Sequence, residues 1–329
     1  MAAPADPAAL AAALRQGDRK SLARAITLVE STRPDHREAA EALIAAVLPH
    51  AGKALRLGIS GAPGVGKSTF IEAFGTRAIA QGHRVAVLAV DPSSRRGGSI
   101  LGDKTRMAML AREPDAFIRP SPAGANLGGV ARRTREAILL VEAAGFDRVI
   151  VETVGVGQSE TAVADLVDLF LLLIAPGGGD ELQGMKRGIV ELADLVIVNK
   201  ADGELERAAR RAVTDYHHAL ALLRREPDRA PAEVVAVSAL ERCGLEEVET
   251  LLAARQAAMA ASGALPRRRA AQARAALWAE IGAALVDEFR SDRIVKTRLA
   301  KLEAQVASGK LAPEAAARAA LKGFVNRRR

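Results

Sequence analysis

Only one cysteine, Cys243, occurs in the 329 residues. That excludes a disulfide framework and a thiolate-clustered metal site, and it implies a reducing, cytoplasmic setting. Aromatic side chains make up 3% of the chain, with one Trp and one Tyr, so there is almost no platform on which single-stranded nucleic acid could stack. No apolar run approaches the roughly 20 residues of a membrane span. The longest, Leu169 to Ala175, has the length of a buried strand. The opening stretch MAAPADPAALAAALRQGDRK carries Asp6 and lacks a basic flank leading into an apolar run, so it reads as mature sequence rather than a secretory signal.

The chain is 49% hydrophobic, and 47 Lys+Arg against 39 Asp+Glu give a net charge of +8. This describes an ordinary globular protein of one large or two modest domains. The basic residues are spread through helical patterns, and the clusters Arg267–Arg269 and Arg327–Arg329 lack accompanying aromatics. They read as linker and tail, which argues against a nucleic-acid partner.

Two helical patterns come first: Asp18 caps one carrying Leu22, Ile26 and Val29, and Asp35 with Glu38 resembles a capping box before Leu43, Ile44, Val47 and Leu48. Pro49 and Gly52 close that region. Short β-branched runs then alternate with Gly-rich turns and amphipathic stretches such as Val130–Ala144, the pattern of βαβ units. The expected strands are Leu55–Ser60, Arg84–Val90, Arg148–Glu152, Asp168–Ile174, Asp194–Asn199 and Glu233–Ser238. Each runs into polar or Gly-rich sequence at its carboxyl end, the rim on which open α/β sheets bind ligands. The fold class is therefore α/β, a mainly parallel sheet flanked by helices. The segment GALPRRR (263–269) reads as a linker, and Ala270–Val306 with Pro313–Phe324 as helices beyond the sheet. The expected divisions are 1–52, an N-terminal helical extension; 53–262, the sheet domain; and 263–329, a C-terminal helical arm.

Gly61-Ala62-Pro63-Gly64-Val65-Gly66-Lys67-Ser68 matches the phosphate-loop pattern G-x-x-x-x-G-K-[ST], directly after a strand and before a helical pattern beginning at Thr69. Its glycines let backbone N–H groups curl around a polyphosphate. Lys67 neutralises phosphate oxygens, and the Ser68 hydroxyl suits Mg²⁺. Asp91 and Glu152 each end a strand at this site, where Mg²⁺ is their natural load and a helix N-cap the competing explanation. Gly155 can offer an N–H to a γ-phosphate. Asn199-Lys200-Ala201-Asp202 ends a further strand. There a carboxylate can accept the two adjacent donors of guanine, which adenine lacks, although NKAD alone is also a capped turn. Ser238-Ala239-Leu240 ends the next strand, suits a second contact to the base, and tips the reading toward GTP. Two glycine-rich loops, Gly97–Arg106 and Gly177–Lys186, read equally as switch loops or as solvated surface.

The runs DPSS…GGSILGDKTRM, RPSP…NLGGVARRTRE, ETVGVGQSETAVAD, PGGGDELQGMK and NKAD closely resemble the methylmalonyl-CoA mutase-associated GTPase family, the MeaB/ArgK group of SIMIBI-class P-loop GTPases. The likeness extends to about residue 255. It implies a GTPase that uses GTP/GDP and Mg²⁺ and chaperones an adenosylcobalamin-dependent methylmalonyl-CoA mutase or related mutase, gating cofactor loading and protecting or rescuing the enzyme. It further implies a homodimer formed through the C-terminal arm. By matching motif, Gly61–Thr69 would hold the phosphates, with Thr69 closing the set. Ser68, Asp91, Asp103 and Glu152 would surround Mg²⁺. Asn199 and Asp202, with Lys200 between them, would read guanine under Ser238, Ala239 and Leu240. Gln183 and Lys186 would couple the partner to hydrolysis, giving Lys67, Asp103, Glu152, Gln183 and Lys186 as the catalytic set. Two departures stand out: Arg95-Arg96 fills a gap that spans three residues in the family pattern, and Gly178 stands where Ala is common. Arg95, Arg96 and Arg106 are candidates for an arginine finger. A nickel-delivery GTPase is the first alternative, disfavoured by five His, of which only His217 and His218 adjoin. The second, an ATP-dependent kinase of transport proteins, is disfavoured because Asp202 would face adenine's lone pair.

Overall fold

The computed structural model describes residues 6–90, 107–120, 127–153, 159–177, 187–222 and 230–325. Seven parallel strands form one sheet in the order β3-β2-β4-β1-β5-β6-β7. They are β1 (Leu55–Gly61), β2 (Val85–Val90), β3 (Ala116–Arg119), β4 (Arg148–Thr153), β5 (Leu169–Ile174), β6 (Leu195–Val198) and β7 (Glu233–Ala236). The six expected strands are all present, with ends that move by up to two residues. The seventh, β3, pairs with β2 from Val85–Ala116 to Leu88–Arg119. With four residues, Pro114 before it and Pro120 after it, it offers too short a pattern to read on its own.

Helices α1 (Pro7–Arg15), α2 (Arg19–Glu30) and α3 (Pro34–Val47) precede the sheet. Asp18 caps α2 as expected, accepting from the Lys20 and Ser21 N–H groups at 3.2 and 3.1 Å. The Ser21 hydroxyl and the Lys20 N–H hold the Asp18 carboxyl below its usual range. The expected capping box at Asp35 does not form. Arg33 is the N-cap of α3 and has no side-chain cap bond, while Asp35 pairs with the Arg33 guanidinium. The α1 segment was not expected as a helix; Asp6 caps it and Pro7 opens it.

Along the sheet follow α4 (Lys67–Ala80), α5 (Leu127–Ala143), α6 (Ser159–Ala164), α7 (Arg187–Leu192), α8 (Glu206–Ala221) and α9 (Leu245–Ala261). Because side chains alternate across a strand, β5 sends Leu169, Leu171 and Leu173 to one apolar layer and Phe170, Leu172 and Ile174 to the other. The first layer packs against α4 and α9. The second packs against α5, α8 and the N-terminal helices, with Val130, Ile138 and Val141 of α5 buried in it. Strands buried on both faces read as continuous apolar runs, which is why LFLLLI was legible.

The linker expected at 263–269 is instead helical. Gly263, at φ +68°, follows α9, and α10 runs over Ala264–Ser291. Pro266 lies in its first turn, where a missing N–H costs no helical bond. Arg269 donates to Asp168 from Nε at 2.8 Å and from Nη2 at 2.6 Å, and also to the Ala54 carbonyl at 2.7 Å. Arg268 pairs with Asp194 at 3.6 Å, and Gln272 donates to the Val167 carbonyl at 2.8 Å. These residues gather at the amino ends of β1, β5 and β6, the rim opposite the phosphate loop. Beside them, Arg56 makes a two-pronged pair with buried Glu142 at 2.7 and 2.9 Å.

The chain divides into two compact units, Met1–Gln272 and Ala273–Arg329. The second contains the rest of α10, α11 (Arg293–Ala307) and α12 (Pro313–Val325). Within it Phe289 and Phe324 meet edge to face at 5.3 Å. Among the described residues, no helix is long and apolar enough to cross a membrane.

Candidate functional site

The phosphate loop turns from β1 into α4 with Gly64 and Gly66 at φ +82° and +92°. A Cβ on Gly66 would lie 2.6 Å from Asn199 Nδ2, and one on Gly61 2.3 Å from the Leu173 carbonyl. Neither position admits a side chain. Lys67 is the first residue of α4 and is buried. Its ammonium donates to the Gly61 carbonyl at 2.7 Å and to the Ala62 carbonyl at 3.2 Å. A cation is thus held over the loop at the positive end of a four-turn helix, an arrangement that attracts a polyphosphate. Val65 is buried, Pro63 and Gly64 are exposed, and Thr69 is exposed in the helix's first turn.

Ser68, beside Lys67, directs its hydroxyl to Glu152 Oε1 at 3.4 Å. Glu152 is 5% exposed, and it faces the α4 side of the sheet because Ile150, two residues earlier, belongs to that layer. Ser68 and Glu152, distant in sequence, are thus side by side at the end of the phosphate loop. Among the described residues, no three His, Cys, Asp or Glu side chains gather as a metal site of their own.

Asn199 ties the loop after β7 to the phosphate loop. Its Nδ2 donates to the Val65 carbonyl at 2.9 Å, and its Oδ1 accepts the Ala239 N–H at 3.1 Å. Both polar ends of this buried amide are thereby engaged with backbone, so its geometry is that of a brace. Lys200, exposed, takes φ +61°. The half-buried Asp202 accepts a hydrogen bond from the Ser238 hydroxyl, which itself accepts the Glu241 N–H at 3.0 Å. A bridge between Ser238 and Cys243 closes this loop. Ala239 is buried, whereas Leu240 is 77% exposed, and Cys243 is free and exposed. Ser60 and Thr153, a buried hydroxyl pair at 2.8 Å on the ends of β1 and β4, drew no attention in the sequence, where isolated Ser and Thr carry no pattern. Asp91, Asp103, Gly155, Gln183 and Lys186 lie outside the described residues, as do Arg95, Arg96, Arg106 and Gly178.

A strand–glycine loop–helix unit with its lysine over the loop, braced by NKAD, is the architecture of a P-loop nucleotide site. The family model described as methylmalonyl Co-A mutase-associated GTPase MeaB matches residues 22–293. The chain belongs to the MeaB family. Similar proteins include GTPase ArgK of Escherichia coli, 53% identical over 79% of this chain and 78% of its own. The mouse methylmalonic aciduria type A homolog, mitochondrial, is 48% identical over 95% of this chain and 78% of its own. Among solved structures, a crystal structure of a LAO/AO transport system kinase superposes with a TM-score of 0.77 at 38% identity, covering 98% of this chain and 99% of that one. As a MeaB-family GTPase, the chain binds guanine nucleotide and hydrolyses GTP.

Proposed function

We propose that this chain is a GTP-driven switch serving an adenosylcobalamin-dependent methylmalonyl-CoA mutase or a related acyl-CoA mutase, gating cofactor loading and protecting or reactivating that enzyme. The observation that supports this reading is the Asn199 brace, which ties the loops that end β6 and β7 to the phosphate loop. The family's description, mutase-associated, supports the partner. In this reading Gly61–Thr69 hold the phosphates, Lys67 neutralises them, Asp202 reads the base, and Ser238 fixes the Asp202 carboxylate. The single free cysteine suits a reducing cytoplasm.

Mg²⁺ fits the residues present. Ser68 and Glu152 offer only oxygens, a hard donor set that needs phosphate oxygens and water to complete it, as is usual where this ion accompanies nucleotides. When bound, the ion would neutralise charge on the phosphoryl oxygens, with Asp91 and Asp103 as further proposed ligands. Gly155, Gln183 and Lys186 are proposed to answer to the terminal phosphate and to the partner.

Turnover of GTP measured with and without purified mutase tests the partner. About tenfold or greater acceleration, with a complex that changes between GTP and GDP, is expected; an unchanged rate and no detectable complex would remove the mutase from the proposal.

We also propose a homodimer through α10. Leu277, Ile281 and Leu285 recur four residues apart with Trp278 beside them, and all four are exposed. Light scattering should give the mass of two chains. Ile281→Asp should give one chain and shift the emission of Trp278, the sole tryptophan, to the red. A single-chain mass for the unsubstituted protein would contradict the dimer.

A further inference from the structure

Ser60 and Thr153 are both fully buried, and the Thr153 hydroxyl donates to Ser60 Oγ at 2.8 Å. Their position in the fold gives this bond its interest. The backbone ladder between β1 and β4 runs from Leu55–Arg148 to Ile59–Glu152, and the hydroxyl pair adds one rung beyond it. Ser60 directly precedes Gly61 of the phosphate loop, and Thr153 directly follows Glu152. Alternation along the strands sends Glu152 toward α4 and Ser68, so Thr153 faces the other layer with Val149 and Val151. The hydroxyls therefore lock the two strand ends together behind the carboxylate while Glu152 faces Ser68 in front.

An apolar layer could be filled at this point by Ala and Val without two buried hydroxyls. Replacing both members of a buried hydrogen bond by apolar groups of the same shape is close to neutral for stability. What the pair adds is direction: it fixes the lateral distance between the strand that launches the phosphate loop and the strand that delivers Glu152. Displacement of an acid by a fraction of an ångström matters little to folding and much to an ion that demands near-ideal geometry.

We propose that Thr153, held by Ser60, is a positioning residue for GTP hydrolysis that aligns Glu152 with Ser68. This rests on the reading that Ser68 and Glu152 hold Mg²⁺ at the phosphates.

The test compares Thr153→Val, Thr153→Ser and the double variant Ser60→Ala/Thr153→Val in the full chain, with Mg²⁺ titrated at saturating GTP. The double variant leaves no orphaned hydroxyl, so it separates positioning from folding. In it kcat should fall about tenfold and the Mg²⁺ concentration giving half the maximal rate should rise about tenfold, the lower end of the range seen when supporting contacts of metal ligands are removed. Affinity for GDP measured without Mg²⁺ and the melting temperature should stay near those of the unsubstituted protein. Thr153→Ser keeps the hydroxyl and should return kcat to within about twofold. A double variant with unchanged kcat and Mg²⁺ requirement overturns the positioning role, as does a Thr153→Ser variant as slow as Thr153→Val. If the unsubstituted protein hydrolyses GTP equally well with Mg²⁺ removed, the ion-binding reading itself fails, a result distinct from either of these.

Discussion

Asp202→Asn is expected to turn the chain from a guanine to a xanthine nucleotide binder, with GTP affinity falling about 10⁴-fold. A carboxylate offers two acceptors to the adjacent N–H donors of guanine. Asparagine keeps one acceptor and replaces the other with an amide donor, which opposes the guanine amino group but suits the carbonyl that xanthine carries there. The Ser238 hydroxyl donates to Asp202 and is itself held by the Glu241 N–H, so the carboxylate is fixed before any base arrives. A preset acceptor pair discriminates strongly because the wrong base leaves it unpaired. Titration calorimetry with GTP, XTP and ATP reads the outcome. Retained guanine selectivity in the variant would show that Asp202 does not face the base. The same experiment on the unsubstituted chain measures ATP directly, the nucleotide expected of a transport-system kinase.

The parts of this site that were legible in the sequence are those in which local chemistry fixes the conformation. The loop from Gly61 to Ser68 announces itself because its glycines must adopt left-handed or close-approach geometry, and Gly61 and Gly66 do meet backbone or side-chain atoms where a Cβ would stand. The strands were legible because a sheet covered on both faces writes unbroken apolar runs. What stayed hidden depends on which partner a side chain finds, often one far away in sequence. GALPRRR has the composition of a linker, yet Arg268 and Arg269 find Asp194 and Asp168, roughly 75 and 100 residues earlier. Asp35 has the spacing of a capping box, but the neighbouring Arg33 guanidinium captures it. NKAD suggests base reading throughout, whereas the Asn199 amide is taken up by the Val65 carbonyl and the Ala239 N–H. Three-dimensional neighbours thus add to the motif what its spacing does not show: Asn199 ties two loops to the phosphate loop, and Asp202 meets the Ser238 hydroxyl.

The rim away from the nucleotide should govern stability as strongly as Asp202 governs binding. Asp168 is 1% exposed and accepts three hydrogen bonds, from the Arg56 N–H at 2.9 Å and from Arg269 at 2.8 and 2.6 Å. Burial opposes the charge on Arg269, but its bonds to Asp168 and that carboxylate's charge prevail and raise its pKa above the ordinary arginine value. The guanidinium therefore stays charged at every working pH. Asp168→Ala strands that cation among the carbonyls of Gly52 and Ala54 and removes an acceptor from the start of β1. The expected loss is about 3–5 kcal/mol, the range for breaking one side of a buried pair. Removing both charges is a different matter, because the cost of desolvating two ions offsets much of their attraction. Asp168→Leu with Arg269→Met should therefore recover most of the loss. Urea unfolding followed by circular dichroism measures both variants against the parent. A single variant weakened by less than about 1 kcal/mol, or a double variant no better than the single, would mean that α10 is held to the sheet by its remaining contacts, among them Gln272 to the Val167 carbonyl and Arg268 to Asp194. Since β5 joins this clasp to Ile174 and Gly177 at the nucleotide rim, GTP turnover by the double variant should stay near that of the parent, separating the strength of the anchor from the chemistry at the other end of the strand.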